Sequence, residues 1–159
     1  MTKQEIITTI IARLESDLSL FTAAALHAHA AATHAECQPD NKYDTTALEA
    51  SYLAQGQANR AQEIRQSLEA YRVLTLPEFD DDSPVRLGAL VTLEDEEGGR
   101  RRIFIGPHAG GMKLGDPAGE IVVITPVSPL GKQLLGLTVG DEVPGGEAGT
   151  AAYILVGVV

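Results

Sequence analysis

The sequence predicts an α+β chain: a long antiparallel helical hairpin followed by a small, mostly antiparallel β domain with one short helix. Three observations carry this expectation. Apolar residues alternate at spacings of four and three through most of residues 1–76, a Pro- and Asp-rich break follows, and the period falls to two beyond residue 86. The expected organisation is therefore an arm at 1–76 with its tip near 36–46, a linker at 77–85, and a C-terminal domain at 86–159.

The first helix has the seam Ile7, Ile11, Leu14, Leu18, Phe21, Ala25, Ala28, Ala32. This is the heptad pattern of a coiled coil, in which one stripe of side chains meets a partner helix. Thr2 and Glu5 stand at capping-box spacing at its start. After the polar stretch "ECQPDNKYDTT" the pattern resumes as Ala47, Ala50, Ala54, Gln57, Ala61, Ile64, Leu68, Tyr71. Two such seams joined by a short polar break make an antiparallel hairpin. Large side chains fall at the start of the first helix and the end of the second, so the arm is expected to be thick at its base and slender at its tip. A helix of about 33 residues extends about 50 Å, so much of the arm is expected to project into solvent. A compact helical bundle is the alternative, but no third amphipathic helix offers itself.

"LTLPEFDDDSPVR" ends the second helix, because Pro77 and Pro84 exclude helical continuation. Strands are expected near Ala89–Leu93 and Arg102–Ile105, with a turn at Gly98–Gly99 between them. "EIVVIT" at Glu120–Thr125 and the terminal "AAYILVGVV" read as further strands. "SPLGKQLLG" reads as a short helix with Ser128 as N-cap, Pro129 at its first position and Gly136 after its end.

Composition narrows the function. Hydrophobic residues make up 44% but aromatics only 4%, and there is no Trp, so the core must be Ala, Leu, Ile and Val. The single cysteine, Cys37, excludes an intrachain disulfide and fits a reducing compartment. No signal-like or membrane-spanning run is present, so a soluble cytoplasmic protein is expected. The net charge is −10, with −3 in residues 1–76 and −7 in residues 77–159. Phosphate backbones are bound by clustered Lys and Arg. Here Glu94, Asp95, Glu96 and Glu97 precede Arg100, Arg101 and Arg102, which argues against autonomous nucleic-acid binding. His27, His34 and Cys37 fall near one helical face but lack a fourth ligand, so no permanently bound metal is expected. "GPHAGG" at 106–111 lacks the strand-to-helix setting of a phosphate loop and reads as a turn.

"ITPVSPLGKQLLGLTVGDEV", residues 124–143, closely resembles the signature of the Gre transcript-cleavage and elongation factors, the GreA/GreB family. "VRLGALVTLED" resembles the first strand of the same domain, and the hairpin before it agrees in size and order. The resemblance implies a coiled-coil arm followed by an FKBP-like domain. It implies a bacterial transcription elongation factor that binds RNA polymerase and enters its secondary channel, meeting nascent RNA only inside that complex. Such a factor is no enzyme: at most it stimulates the polymerase to hydrolyse its own backtracked RNA, with no cofactor of its own and a Mg²⁺ shared with the polymerase. Relatives that occupy the channel as inhibitors or modulators give the alternative, with a coiled-coil interaction protein beside it. Prolyl isomerase activity, which an FKBP-like fold brings to mind, fits poorly with so few aromatic residues.

The family's tip resembles D-x-x-E-N-A-E-Y, with its first Asp and its Glu in the metal role. Asp40 matches the Asp, Tyr43 stands where the Glu would be, and Asp44 is the next acid. Mg²⁺ takes oxygen ligands and is often held by one or two carboxylates. At i and i+4 on a helix the two aspartates would share a face. As ordinary structure, Pro39–Asp40 is a turn signal and Asp44 a helix N-cap. The family's grip on the polymerase carries over to Ser128 and Pro129, with Leu130 as neighbour. Val127 stands where some relatives place an Asp, which removes a charge-assisted contact and leaves an apolar one.

Overall fold

The computed structural model of the chain describes residues 1–33, 46–144 and 153–159. They form two compact units, one of Ile10–Glu69 and one of Met1–Thr9 with Ala70–Val159. Helix α1 spans Lys3–Thr33 and α2 spans Thr46–Arg72, so both helices contribute their ends to the second unit.

In the helical unit the predicted seams are the buried stripes. Leu14, Ala28, Ala54, Ala61, Ile64 and Leu68 are buried, and Leu18, Phe21, Ala25, Ala50 and Gln57 are half-buried. The seam expectation errs at one position: Ile10 is fully buried while Ile11 is half-exposed. The helices run antiparallel. The Arg60 guanidinium lies 6.0 Å from the centre of the Phe21 ring, and farther along α1 Leu26 and His29 share a groove with Ser51 and Gln55 of α2. Larger side chains, Leu14 with Ile64 and Leu68, fill one end of this seam and alanines the other, as side-chain size along the two runs requires.

The start of α1 belongs to the other unit and is capped reciprocally. Thr2 N–H donates to Glu5 Oε2 at 2.7 Å, and Glu5 N–H donates to Thr2 Oγ1 at 3.2 Å. The Thr2 backbone donor, then its hydroxyl, holds the Glu5 carboxyl below its ordinary value.

This second unit is built on a six-stranded sheet in the order β3-β4-β2-β1-β6-β5. Its strands are β1 Leu90–Glu94, β2 Arg100–Ile105, β3 Lys113–Leu114, β4 Ile121–Ile124, β5 Glu142–Val143 and β6 Tyr153–Val158. Helix α3, Pro129–Leu134, falls between β4 and β5. Pairing is antiparallel except for β2 with β4, which run parallel with Arg102 opposite Ile121 and Ile105 opposite Ile124. β1 and β2 form the expected hairpin. Its turn is organised by the Asp95 carboxylate, which accepts from Glu97 N–H at 3.0 Å and Gly99 N–H at 2.6 Å.

Alternation along β1 and β2 sends Val91, Leu93, Ile103 and Ile105 into one core. The register shift between β1 and β6 at Thr92/Leu93 brings Leu155 and Val158, three residues apart, to the same core, which Leu134 of α3 and Val85 close. The segment 77–85 has no helix or strand, yet it is fixed to this unit. Val85 is buried and exchanges backbone hydrogen bonds with Gly136 and Leu137. Phe79 packs against the core and lies between two cations, Lys3 Nζ at 4.8 Å and the Arg86 guanidinium at 5.3 Å from its ring centre.

The opposite face carries Leu90, Phe104, Ile121 and Val123, all buried. Here Tyr71 donates its hydroxyl to the His108 carbonyl at 2.7 Å, and burial pushes the phenol well above its ordinary pKa. A Cβ at Gly106 would overlap that hydroxyl, so a larger residue there would have to displace the buried Tyr71 side chain. Asp116 anchors the same region. Its carboxylate is 2% exposed and lies 2.7 Å from the Met1 amino group and 3.1 Å from Arg102 Nη1. It also accepts from Ala118 N–H at 2.8 Å. The Met1 ammonium, the Ala118 amide and the Arg102 guanidinium hold its pKa far below the usual carboxylate range.

A carboxylate whose folded pKa is depressed stabilises the fold above its unfolded pKa and loses that contribution as pH falls. Asp116→Asn is therefore expected to lower the melting temperature at neutral pH. The gap to the parent chain should narrow below about pH 4, as thermal melts across a pH series will show. A gap that stays constant into acid would contradict the ion-pair account.

Candidate docking surface

Helix α3 is set against the end of β4 by its cap. Ser128 N–H and Oγ–H both donate to the Thr125 carbonyl, at 3.0 and 2.7 Å, and Ser128 Oγ accepts from Gly131 N–H at 3.0 Å. Pro129 occupies the first helical position, where its missing N–H costs nothing. Gly131 is buried, and a Cβ there would overlap the Thr125 carbonyl oxygen. Leu134 is thereby driven fully into the core, with Leu130 packed half-buried against it.

The three residues expected to form a docking element thus divide by role. Ser128 is spent on the cap and Leu130 largely on packing, while Pro129 is exposed. Beside it Val127 is 76% exposed, a large apolar side chain held outward by the rigid turn before α3. Val127 and Pro129 are therefore the side chains this turn presents.

Leu130 also borders a groove of about 430 Å³ across the sheet. Ile103, Val122, Ile124 and Leu130 give it an apolar floor, and Arg100, Arg101, Lys113 and Glu120 stand at its rim. The basic rim is ordered by its neighbours. Arg100 Nε lies 2.8 Å from Glu94, Lys113 Nζ lies 3.1 Å from Glu120, and the Arg101 guanidinium lies 5.1 Å from the centre of the Tyr153 ring. Arg102 is different: its Nη1 turns to Asp116 on the other side of the sheet. Period-two alternation within "RRR" separates Arg101 from Arg102 in this way. The groove itself was not foreseen, because Lys113 lies on a two-residue strand too short to show a period.

Asp40, Tyr43 and Asp44 lie outside the described residues, as do His34 and Cys37. Among the described residues no group of three or more His, Cys, Asp or Glu side chains is placed to hold a metal ion. No described helix is long and apolar enough to cross a membrane.

Comparison with known proteins gives two sets of findings. Residues 80–146 match the family described as transcription elongation factor, GreA/GreB, C-terminal. That span contains the whole of α3, the turn before it and the groove. No curated protein sequence matches the chain. Among solved structures, the GreA factor homolog 1 (Gfh1) protein of Thermus thermophilus is similar at 22% identity and a TM-score of 0.41, with 94% of each chain covered. A second structure, of the transcription factor Gfh1, is 25% identical with a TM-score of 0.40, covering 97% of this chain and 91% of that one. Thermus aquaticus Gfh1 is 22% identical with a TM-score of 0.39, covering 95% and 92%.

The cap geometry can be tested directly. Gly131→Ala is expected to cost about 2 kcal/mol, the scale of overpacking against a backbone that cannot move away, as read by denaturant unfolding. A neutral substitution would contradict the close approach of α3 to β4.

Proposed function

We propose that this Gre-like chain, whose residues 80–146 belong to the GreA/GreB family, is a transcription elongation factor that docks on bacterial RNA polymerase through its C-terminal domain. The observation that carries the reading is the family's own domain presenting a rigid apolar turn, Val127–Pro129, beside a groove with an apolar floor and a basic rim. With Arg100 paired to Glu94 and Lys113 to Glu120, the rim keeps only a small positive excess, carried by Arg101. In a chain of net charge −10 that is still a local exception, suited to an acidic partner surface. The hairpin then serves as the element that enters the secondary channel.

Within the channel the chain has no complete active site of its own, and any hydrolysis is the polymerase's. Asp40 and Asp44 are the carboxylates the arm can lend to a Mg²⁺ that the polymerase holds, where the metal would stabilise charge on the reacting phosphate. Tyr43 supports the second reading, a channel modulator without cleavage, because it replaces the Glu of the family's tip.

Val127→Glu is expected to weaken binding to core RNA polymerase roughly tenfold or more, the effect of about 1.4 kcal/mol at a docking contact. The exposed substitution should leave the fold intact by circular dichroism. Unchanged affinity would remove α3 from the interface, and no binding by the parent chain would overturn the proposal.

The tip has its own test, on stalled complexes with backtracked RNA. If the arm stimulates cleavage, the double variant Asp40→Asn, Asp44→Asn should bind polymerase as the parent does and lose the stimulation. A parent chain that binds yet leaves RNA uncut at saturating Mg²⁺ assigns it to the modulators.

A further inference from the structure

The two helical stretches that flank residues 34–45 are almost without charge. Across residues 18–33 and 46–59, Glu49 is the single Asp, Glu, Lys or Arg. A solvated helix face ordinarily carries charged side chains opposite its apolar seam. Here Leu20, Leu26, Leu48, Tyr52 and Leu53 lie outside the seam and are each more than half exposed.

One flank is shaped as well as apolar. A groove of about 470 Å³ runs between the helices, with Leu26 and His29 on its α1 side, Ser51, Gln55 and Ala58 on its α2 side, and the charged Arg65 also lining it. Leu48 precedes Ser51 and Gln55 at i+3 and i+7, and Tyr52 follows it at i+4, so these side chains stand along the outer edge of the same flank. Leu26 stands beside the groove as an exposed knob.

We infer that this flank binds a second copy of the chain, with Leu26 of each hairpin seated in the groove of the other about a two-fold axis. Charge argues for that occupant. A chain of net charge −10 repels its own copy over most of its surface. Across residues 18–33 and 46–59, by contrast, two copies would meet with Glu49 as the one formal charge on each, and the Arg65 that lines the groove adds no further negative charge. Interfaces between identical chains are apolar and depleted in charge, and a two-fold contact needs a patch complementary to itself. A knob beside a hole of matching chemistry meets that need. The area is also of the right order. Leu26, Leu48 and Tyr52 expose roughly 400 Å² together, about half of the 800 Å² per partner typical of a stable complex, and the groove walls supply more. The inference does not rest on polymerase binding. If both hold, pairing covers the flanks of the arm that the channel would receive, and dimer and channel-bound factor exclude each other.

Sedimentation velocity of the full chain over a concentration series tests the pairing. The expected result is a reversible monomer–dimer equilibrium whose dissociation constant rises roughly tenfold or more in Leu26→Glu and in Tyr52→Glu. Exposed Val73→Glu, placed in the other unit, should leave it unchanged, and circular dichroism should show the helices intact in all three. A monomer at every concentration overturns the inference. So does a dimer indifferent to Leu26 and Tyr52, which would place the contact elsewhere. A monomer whose Leu26 becomes shielded from hydroxyl radicals only on adding RNA polymerase also overturns it, and assigns the flank to the polymerase.

Discussion

The close approach of α3 to the end of β4 is the constraint on which the C-terminal domain depends. A single carbonyl, that of Thr125, accepts from both the backbone and the hydroxyl of Ser128, and that hydroxyl in turn satisfies Gly131 N–H. The geometry closes only because residue 131 has no side chain. Once closed, it commits Leu134 and Leu130 to the core and leaves Val127 and Pro129 no interior to enter. The proposed docking surface is thus the outer side of a packing solution. Its rigidity follows from the same hydrogen bonds that build the helix, which keeps the entropic cost of ordering it on binding small.

The two units obey different rules. In the helical unit, stability comes from one stripe of Leu and Ile that gives way to Ala, and across residues 18–33 and 46–59 the surface away from that stripe carries little charge. In the sheet unit, alternation fills two faces. One is closed by α3, and the other holds the Tyr71 hydroxyl, with the Asp116 carboxylate set between the Met1 ammonium and the Arg102 guanidinium. Asp116 shows how a carboxylate with little exposure is kept ionised: it faces two cations, the Met1 ammonium and the Arg102 guanidinium.

Much of this could be read from the sequence because strong periodic signals and strong caps agree locally. The seams placed Ala54, Ala61, Ile64 and Leu68 correctly, since a heptad over seven turns tolerates few alternatives. Ser128, Pro129 and Gly136 fixed α3 because each satisfies a separate requirement of a helix end. β3 and β5 were missed, because two residues cannot display alternation and exist only through their neighbours β4 and β6. The parallel pairing of β2 with β4 was equally invisible, being set by the path of the chain rather than by side-chain pattern. Of the candidate site, the resemblance pointed to Ser128, Pro129 and Leu130, but not to their division of labour. Which side chains a cap consumes and which it presents depends on burial, and only the folded unit determines that.

The central claim is that the surface around Val127 and Pro129 meets RNA polymerase. Hydrogen–deuterium exchange of the whole chain, with and without core RNA polymerase, tests it most directly. The account expects slowed exchange in the turn before α3, in α3 itself and along β2 at the groove, with the turn at Asp95–Gly99 unaffected. Unchanged exchange across residues 125–135 in a saturated complex would contradict it.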